Sequence, residues 1–163
     1  MKPAAIVYSS NNGHTRRYAE MLGRETGLPV YDIKDIEPDK KLPVIYMGWL
    51  MASTVKDFGK AKRRFNVQAV CGVGLCTTGA LLKEVRRGAR VPADTALFTL
   101  QGGMDIEKLT GIYRKMIDTL TRFMAKKKNP SDDDIEMLRL LTTPGDYVDE
   151  ANLKDVLEWY RGQ

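Results

Sequence analysis

The chain has 163 residues, of which 43% are hydrophobic and 29% are charged, proportions that are typical of a globular domain with a proper core. Lys and Arg outnumber Asp and Glu by 26 to 21, which gives a net charge of +5. No run of eighteen apolar residues occurs, so a transmembrane segment is not expected, and two cysteines with one histidine exclude a disulfide framework and a histidine-based metal site.

The charge and the cysteines also bear on partners and compartment. Residues 129–163 hold 3 Lys or Arg and 9 Asp or Glu, so the C-terminal end is acidic while the rest of the chain is basic. The first residues run directly into a predicted strand and leave no room for a signal peptide. We therefore expect a cytoplasmic protein with no metal, in which Cys71 and Cys76 are reduced thiols.

The most informative stretch lies near the start of the chain. An apolar run over residues 4–8 predicts a buried strand, and the spacing of Tyr18, Met21 and Leu22 predicts a helix after Gly13. A strand, a polar turn and a helix together point backbone N–H groups and the positive end of a helix dipole at one place, which suits a phosphate. A turn that merely caps the helix is the alternative. The candidate phosphate-binding residues are Ser9, Ser10, Asn11, Asn12, Gly13, His14 and Thr15.

This turn resembles the FMN-phosphate loop of the flavodoxins, usually written Thr/Ser-x-Thr/Ser-Gly-x-Thr. It is still more similar to the loop of the flavodoxin-like protoporphyrinogen oxidases, in which an arginine follows the threonine as Arg16 does here. Asn12 departs from the pattern, because a hydroxyl residue is usual at its position. The resemblance covers residues 1–103 well and the remainder loosely. The residues that match in order are Ser10, Asn12, Gly13, His14 and Thr15.

Apolar segments and helical patterns alternate along the next part of the chain. Continuously apolar strands that alternate with helices predict a parallel sheet covered on both faces, a three-layer α/β/α sandwich. The resemblance implies a flavodoxin-like five-stranded sheet of order 2-1-3-4-5, with the ligand at the switch between strands 1 and 3. Helices are predicted over about 55–65 and from 80 to about 87. The further strand candidates are residues 28–33, 42–48, 67–75 and 93–100.

The same resemblance brings two further loops to the phosphate turn. In flavodoxins the loop after strand three holds a face of the flavin ring, and Trp49 either stacks on that ring or makes an ordinary apolar contact. Backbone N–H groups of the loop after strand four are expected at the polar edge of the ring. We interpret Cys76 as a structural thiol and His14 as facing solvent. The two loops contain Gly48, Trp49, Leu50, Met51 and Ala52, and Leu75, Cys76, Thr77, Thr78 and Gly79.

Residues 110–163 extend the single expected domain, residues 1–163, with extra C-terminal helices. Apolar residues at helical spacing over 109–124 predict a long amphipathic helix, whose methionine-rich stripe we interpret as core. Ser131 and Asp134 predict a capping box at the start of the next helix, and Asp149 is a candidate cap for the last one.

The basic residues follow the loops that should line the ligand. They lie in the predicted helices 55–65 and 80–90, where they either form solvated faces or attract anionic partners. No nucleic-acid-binding motif accompanies them, so nucleic acid is not an expected partner. Peripheral contact with a membrane surface stays open.

Three functional hypotheses follow from these patterns. The favoured one is an FMN-binding redox protein that carries electrons to an acidic partner protein or reduces a small-molecule acceptor. The second is an FMN-dependent oxidase or quinone reductase of the protoporphyrinogen-oxidase type, with a carboxylate-bearing substrate. The third is an interaction module on the same fold that binds no flavin.

Overall fold

The fold is built on one mainly parallel sheet, and the computed structural model describes all of residues 1–163. Its strands are β1 (Ala5–Ser9), β2 (Val30–Asp32), β3 (Asp39–Met51), β4 (Thr54–Val55), β5 (Phe65–Gly74) and β6 (Ala96–Gln101). The parallel strands lie in the order β2-β1-β3-β5-β6, and the short β4 pairs antiparallel with the end of β3. Without β4, this is the flavodoxin-like order 2-1-3-4-5, so the expected fold class is confirmed.

Helices cover both faces of the sheet. On one face, Tyr18 and Leu22 of α1 (His14–Thr26) share an apolar cluster with Val156 of α6 (Lys154–Arg161). On the other face, α2 (Phe58–Arg64) and α3 (Leu82–Gly88) pack against the strands through Phe58, Ala61 and Val85. Because the strands are covered on both sides, they contain near-continuous apolar residues.

The end of β3 differs from the expectation. The strand was predicted over 42–48 with a loop after it, but it extends to Met51 and turns back as a hairpin, with Leu50 opposite Val55. Gly48 is therefore a strand residue and not part of a loop. A Cβ on Gly48 would come within 2.7 Å of the Lys56 carbonyl oxygen, so its lack of a side chain permits the close return of the hairpin.

The C-terminal part contains two further helices, α4 (Gly111–Ala125) and α5 (Asp132–Thr142). The predicted capping box is confirmed, because the Asp134 amide donates to the Ser131 hydroxyl oxygen while Asp134 accepts from the Ser131 amide. Asp149 accepts from the Ala151 amide at the start of a 3-10 turn that leads into α6. No helix in the structure is both long enough and apolar enough to cross a membrane.

The interpretation of the methionine-rich stripe on α4 as core is wrong. No residue of α4 is buried, and Met116 and Leu120 remain about 40% exposed, at 38% and 41%. The physical reason is that α1, α2, α3 and α6 already cover both faces of the sheet, so α4 packs mainly beside α5 at the edge of the sandwich.

A two-stranded ribbon and one tyrosine attach the C-terminal part to the body. The ribbon pairs β7 (Gly103–Met104) with β8 (Gly145–Asp146). The Tyr18 hydroxyl donates to the Gln101 carbonyl oxygen and accepts from Asn152 Nδ2 at 2.7 Å. These bonds hold the segment after α5 against the start of α1, next to the carboxyl ends of the strands.

Candidate functional site

A cavity of about 510 Å³ lies at the carboxyl ends of β1, β3 and β5. Its floor includes Val73 and Gly74 at the end of β5, and its walls include the turn after β1 and the hairpin after β3. This is the place where the strand order changes direction, and ligands of open α/β sheets bind at such switch points. The volume falls within the range of about 300–1,000 Å³ that is usual for small-molecule and cofactor sites.

The structure brings all three predicted loops to this cavity. The turn that precedes α1 and the loop that follows β5 contribute side chains, and the hairpin at the end of β3 contributes apolar ones. The predicted site residues that line the cavity are Asn11, Asn12, His14, Thr15, Trp49, Leu50, Met51, Ala52, Leu75 and Cys76.

One end of the cavity is polar because α1 begins there. Gly13 precedes the helix with φ +88°, a left-handed conformation that glycine adopts without steric cost. No side chain caps this helix, and its first hydrogen bond runs from the Arg17 amide to the Gly13 carbonyl. The amides of residues 14–16 therefore have no partner within the helix and remain available to an anion.

His14 stands at this polar end and is half-buried rather than open to solvent. Burial lowers the pKa of His14 below its ordinary value, while nearby Asp146 opposes that shift and Arg17 adds to it. Arg17 and Asp146 form an ion pair of 2.5 Å between Nη1 and Oδ2, so their charges largely offset each other beside the imidazole. The net effect lowers the pKa of His14, which favours the neutral imidazole in the free protein.

The other end of the cavity is apolar and is built around the hairpin after β3. The Leu50 side chain covers Gly72 and Gly74, where an added Cβ would lie 2.8 and 2.9 Å from Leu50 methyl groups. Trp49 contacts Tyr113 of α4, with the two rings nearly perpendicular. These side chains form an apolar surface of the kind on which an aromatic ligand can pack.

Several predicted site residues have other roles in the structure. Ser9 is buried and donates its hydroxyl proton to Asp57 Oδ2 at 2.8 Å, so it ties β1 to the start of α2. The Ser10 hydroxyl oxygen accepts from the Gly13 amide and shapes the turn from within. Thr78 accepts from the Gln101 amide, which fixes the loop after β5 to β6. The predicted residues outside the cavity wall are Ser9, Ser10, Gly13, Gly48, Thr77, Thr78 and Gly79.

Sequence reasoning missed the wall that the C-terminal helices contribute. Side chains of α4 and α5 close the cavity on the side away from the sheet. The periodic stripe on α4 was the available signal, but a periodic stripe does not reveal what it faces. The main residues of this wall are Leu109, Tyr113, Met116, Ile117, Leu120, Met137 and Leu141.

Neither cysteine has the properties of a reactive thiol. Burial raises the pKa of Cys71 to about 12, since this residue lies inside β5. Burial also raises the pKa of Cys76, and the nearby Asp133 carboxylate adds to that effect. Both are protonated at neutral pH, so Cys76 contributes surface and not nucleophilic chemistry to the cavity.

The basic residues at the end of α2 lie farther from the cavity than the sequence order suggested. No Lys or Arg lines the cavity, and Glu84 is the charged residue that does. Lys62 and Arg63 lie at the end of α2, immediately before β5. They are therefore near the amino ends of the strands, whereas the cavity lies at the carboxyl ends. Because β5 has 10 residues, about 3.3 Å apart, this places them roughly 30 Å from the cavity.

The residues that line the cavity are of the types that a phosphate and an aromatic ring each require. A phosphate needs free amides and polar side chains, which the uncapped start of α1 and Asn11, Asn12 and Thr15 supply. An aromatic ring system needs apolar surface, and the hairpin and α4 contribute apolar side chains to the wall. A scan against protein-family models and searches of curated proteins and of solved structures give no match to this chain.

Proposed function

We propose that this protein binds FMN non-covalently and acts as a flavodoxin-like redox protein, which carries electrons or reduces a small acceptor. One observation carries the proposal. A helix with an uncapped N-terminus begins at one end of a cavity whose other end is a broad apolar slot, at the switch point of a flavodoxin-like sheet.

The polar end would hold the phosphate. The amides at the start of α1 and the side chains of Asn12, His14 and Thr15 converge there, and the helix dipole favours the negative charge. Thr15 is 1% exposed, so its position is set by the packing of the turn before any ligand binds. The Ser10 and Ser9 hydrogen bonds keep the backbone of the turn in the shape that presents those amides.

The apolar end would hold the flavin ring. Bound FMN supplies one- and two-electron transfer, while the protein supplies position and the exclusion of water. Trp49 and Leu50 form one side of the slot, and Tyr113 holds the indole from the side of α4. No Lys or Arg lines the wall, so no cationic side chain of the wall would touch the ring.

A second candidate function is an FMN-dependent oxidase or quinone reductase of the protoporphyrinogen-oxidase type. The observation that favours it is the additional apolar wall from α4, including Met116 and Ile117, which faces the slot and extends the surface beside the ring. Steady-state oxidation of reduced protein by a series of quinones separates the two functions. A pure carrier would show no saturation with quinone concentration.

The experiment that tests the main proposal is a titration of the purified protein with FMN, riboflavin and FAD, followed by flavin fluorescence. FMN should bind more tightly than riboflavin, because riboflavin lacks the phosphate. Equal affinities, or no binding of either ligand, would overturn the proposal and leave the interaction module as the surviving hypothesis. We further propose that the electron acceptor is a small molecule or an acidic partner protein. We also propose a cytoplasmic location, which is supported by the two free thiols.

A further inference from the structure

An apolar stripe on the outer face of α4 is only partly covered within the protein. It consists of Ile112, Met116, Leu120 and Phe123, which follow one another at helical spacing along one side of the helix. Their exposed fractions are 75%, 38%, 41% and 72%. No other helix presents so many exposed large apolar side chains.

A ligand in the cavity accounts for only half of this exposed stripe. Met116 and Leu120 also line the cavity, so they stand at its mouth and a bound ligand would cover part of them. Ile112 and Phe123 do not line the cavity, and they are the two most exposed members. Something outside the protein must therefore cover the two ends of the stripe if their exposure has a function.

Basic residues flank the exposed stripe along one edge. Lys115, Arg122 and Lys126 are spaced by seven and four residues, which places them on one line of the helix surface beside the apolar residues. All three are exposed, and none belongs to an ion pair within the protein. Lys128 extends the positive charge beyond the end of the helix.

We propose that the outer face of α4 binds the surface of an anionic lipid bilayer, with the helix lying in the plane of the interface. Apolar side chains on one line and Lys or Arg beside them are the features of interfacial helices, in which burial of apolar area and attraction to anionic headgroups add together. This inference stands independently of the proposed function, since Ile112 and Phe123 lie outside the cavity.

The charge pattern argues against a second copy of the chain as the occupant. In a two-fold dimer whose axis is perpendicular to α4, Lys115, Arg122 and Lys126 would lie on the same side as the same cations of the other copy. A single helical stripe also offers less area than stable protein interfaces usually bury, about 1,200–2,000 Å² in total. A bilayer needs no matching surface of that size.

The experiment is flotation of the full-length protein with vesicles of phosphatidylcholine alone and of phosphatidylcholine mixed with phosphatidylglycerol. The wild type should float with the anionic vesicles only, and raising the salt concentration should weaken the binding. I112S/F123S should bind more than about tenfold more weakly, from the loss of buried apolar area. K115Q/R122Q/K126Q should bind roughly a hundredfold more weakly, from the loss of three cations near the surface.

The matched control is K60Q/K62Q/R63Q, which removes the same charge from exposed residues of α2 at the other end of the molecule. It should float as the wild type does. Unfolding temperatures identify variants with a damaged fold, and FMN affinity in solution should stay unchanged in I112S/F123S. The proposal is overturned if the wild type does not float with anionic vesicles, or if K60Q/K62Q/R63Q loses as much binding as K115Q/R122Q/K126Q. It is also overturned if light scattering shows a dimer of the wild type that is absent in I112S/F123S.

Discussion

Trp49 and Tyr113 meet edge to face across the cavity, with their ring centroids 5.3 Å apart and their planes at 78°. Trp49 belongs to the end of β3, while Tyr113 belongs to the first turn of α4, 64 residues later in the chain. This pair joins the sheet to a helix that buries no residue of its own. It is the direct aromatic contact through which α4 meets the predicted ring-binding hairpin.

The first prediction uses Trp49 as a reporter of ligand binding. FMN in the apolar slot would lie beside the indole, so titration should quench tryptophan emission, and Trp49→Phe should remove most of that quenching. Trp159 serves as an internal control, because it packs against Phe98 with centroids 6.0 Å apart and lies outside the cavity. Quenching of equal depth in Trp49→Phe would place the flavin away from the hairpin.

The second prediction concerns the phosphate end of the cavity. Thr15→Ala should weaken FMN binding by about 1–3 kcal/mol, the loss of one hydrogen bond to a charged group, and should barely change riboflavin binding. The matched control is Thr26→Ala, at the other end of α1, where the hydroxyl donates to the Leu22 carbonyl. The control should leave FMN affinity unchanged, and an equal loss for FMN and riboflavin in Thr15→Ala would contradict the assignment.

The third prediction follows from the lowered pKa of His14. As His14 is the one histidine, its imidazole signals in an NMR titration are unambiguous, and they should show a pKa below the ordinary 6.5. Addition of FMN should move that pKa upward, since a neighbouring phosphate favours the charged imidazolium. A pKa that does not respond to FMN would place the phosphate elsewhere.

The same shift makes stability depend on pH in a defined direction. Because the unfolded chain binds a proton on His14 more readily than the folded protein, the free energy of unfolding should fall as pH drops through about 6.5. His14→Gln should remove this part of the dependence between about pH 7.5 and 5.5, a window in which ordinary carboxylates stay ionised. Urea unfolding at pH 7.5 and at pH 5.5 measures the free energy of unfolding of both proteins. An equal change in that free energy between the two pH values in the wild type and in His14→Gln would refute the prediction.

The fourth prediction tests the attachment of the C-terminal part. Gly103 has φ +156°, and a Cβ on it would overlap the Gly145 carbonyl oxygen, which is backbone of the paired strand β8. Gly103→Ala should therefore lower the free energy of unfolding by about 1–3 kcal/mol. Gly59→Ala is the control, because the nearest atom to its added Cβ would be the flexible end of Arg63 at 3.8 Å. That control should be neutral or slightly stabilising.

The fifth prediction concerns the charges around the proposed flavin. Lys62 and Arg63 lie roughly 30 Å from the cavity, several times the Debye length of about 8–10 Å, so K62Q/R63Q should leave the flavin reduction potential unchanged. Glu84→Gln should make that potential less negative, because it removes a negative charge from the cavity wall. Spectroelectrochemistry checks both variants. A change in the reduction potential caused by K62Q/R63Q would contradict this prediction, because it would show that the charges of Lys62 and Arg63 act on the flavin.

The turn around Gly13 shows how much local sequence determines. A strand that must be buried, a glycine that permits a positive φ and a helix with periodic apolar residues are all encoded within about twenty neighbouring residues, and the structure contains each of them. The same holds for the capping box of Ser131 and Asp134, since its two hydrogen bonds join residues three apart. The alternation of apolar strands and helices likewise sufficed for the parallel sheet, and the strand order came from the resemblance.

The extent of the hairpin after β3 and the place of α4 were decided only by tertiary structure. The spacing of apolar residues predicts that α4 has an apolar side. Whether that side packs against a core, a cavity or an external surface depends on which helices already cover the sheet. The basic residues show the same limit. Lys62 follows a site loop in sequence, yet α2 runs back antiparallel to the strands and carries its last residues to the end of the sheet at which β5 begins. Nearness along the chain therefore determined the turn around Gly13. Nearness in space, which depends on the direction of every intervening element, decided the walls and the charge of the cavity.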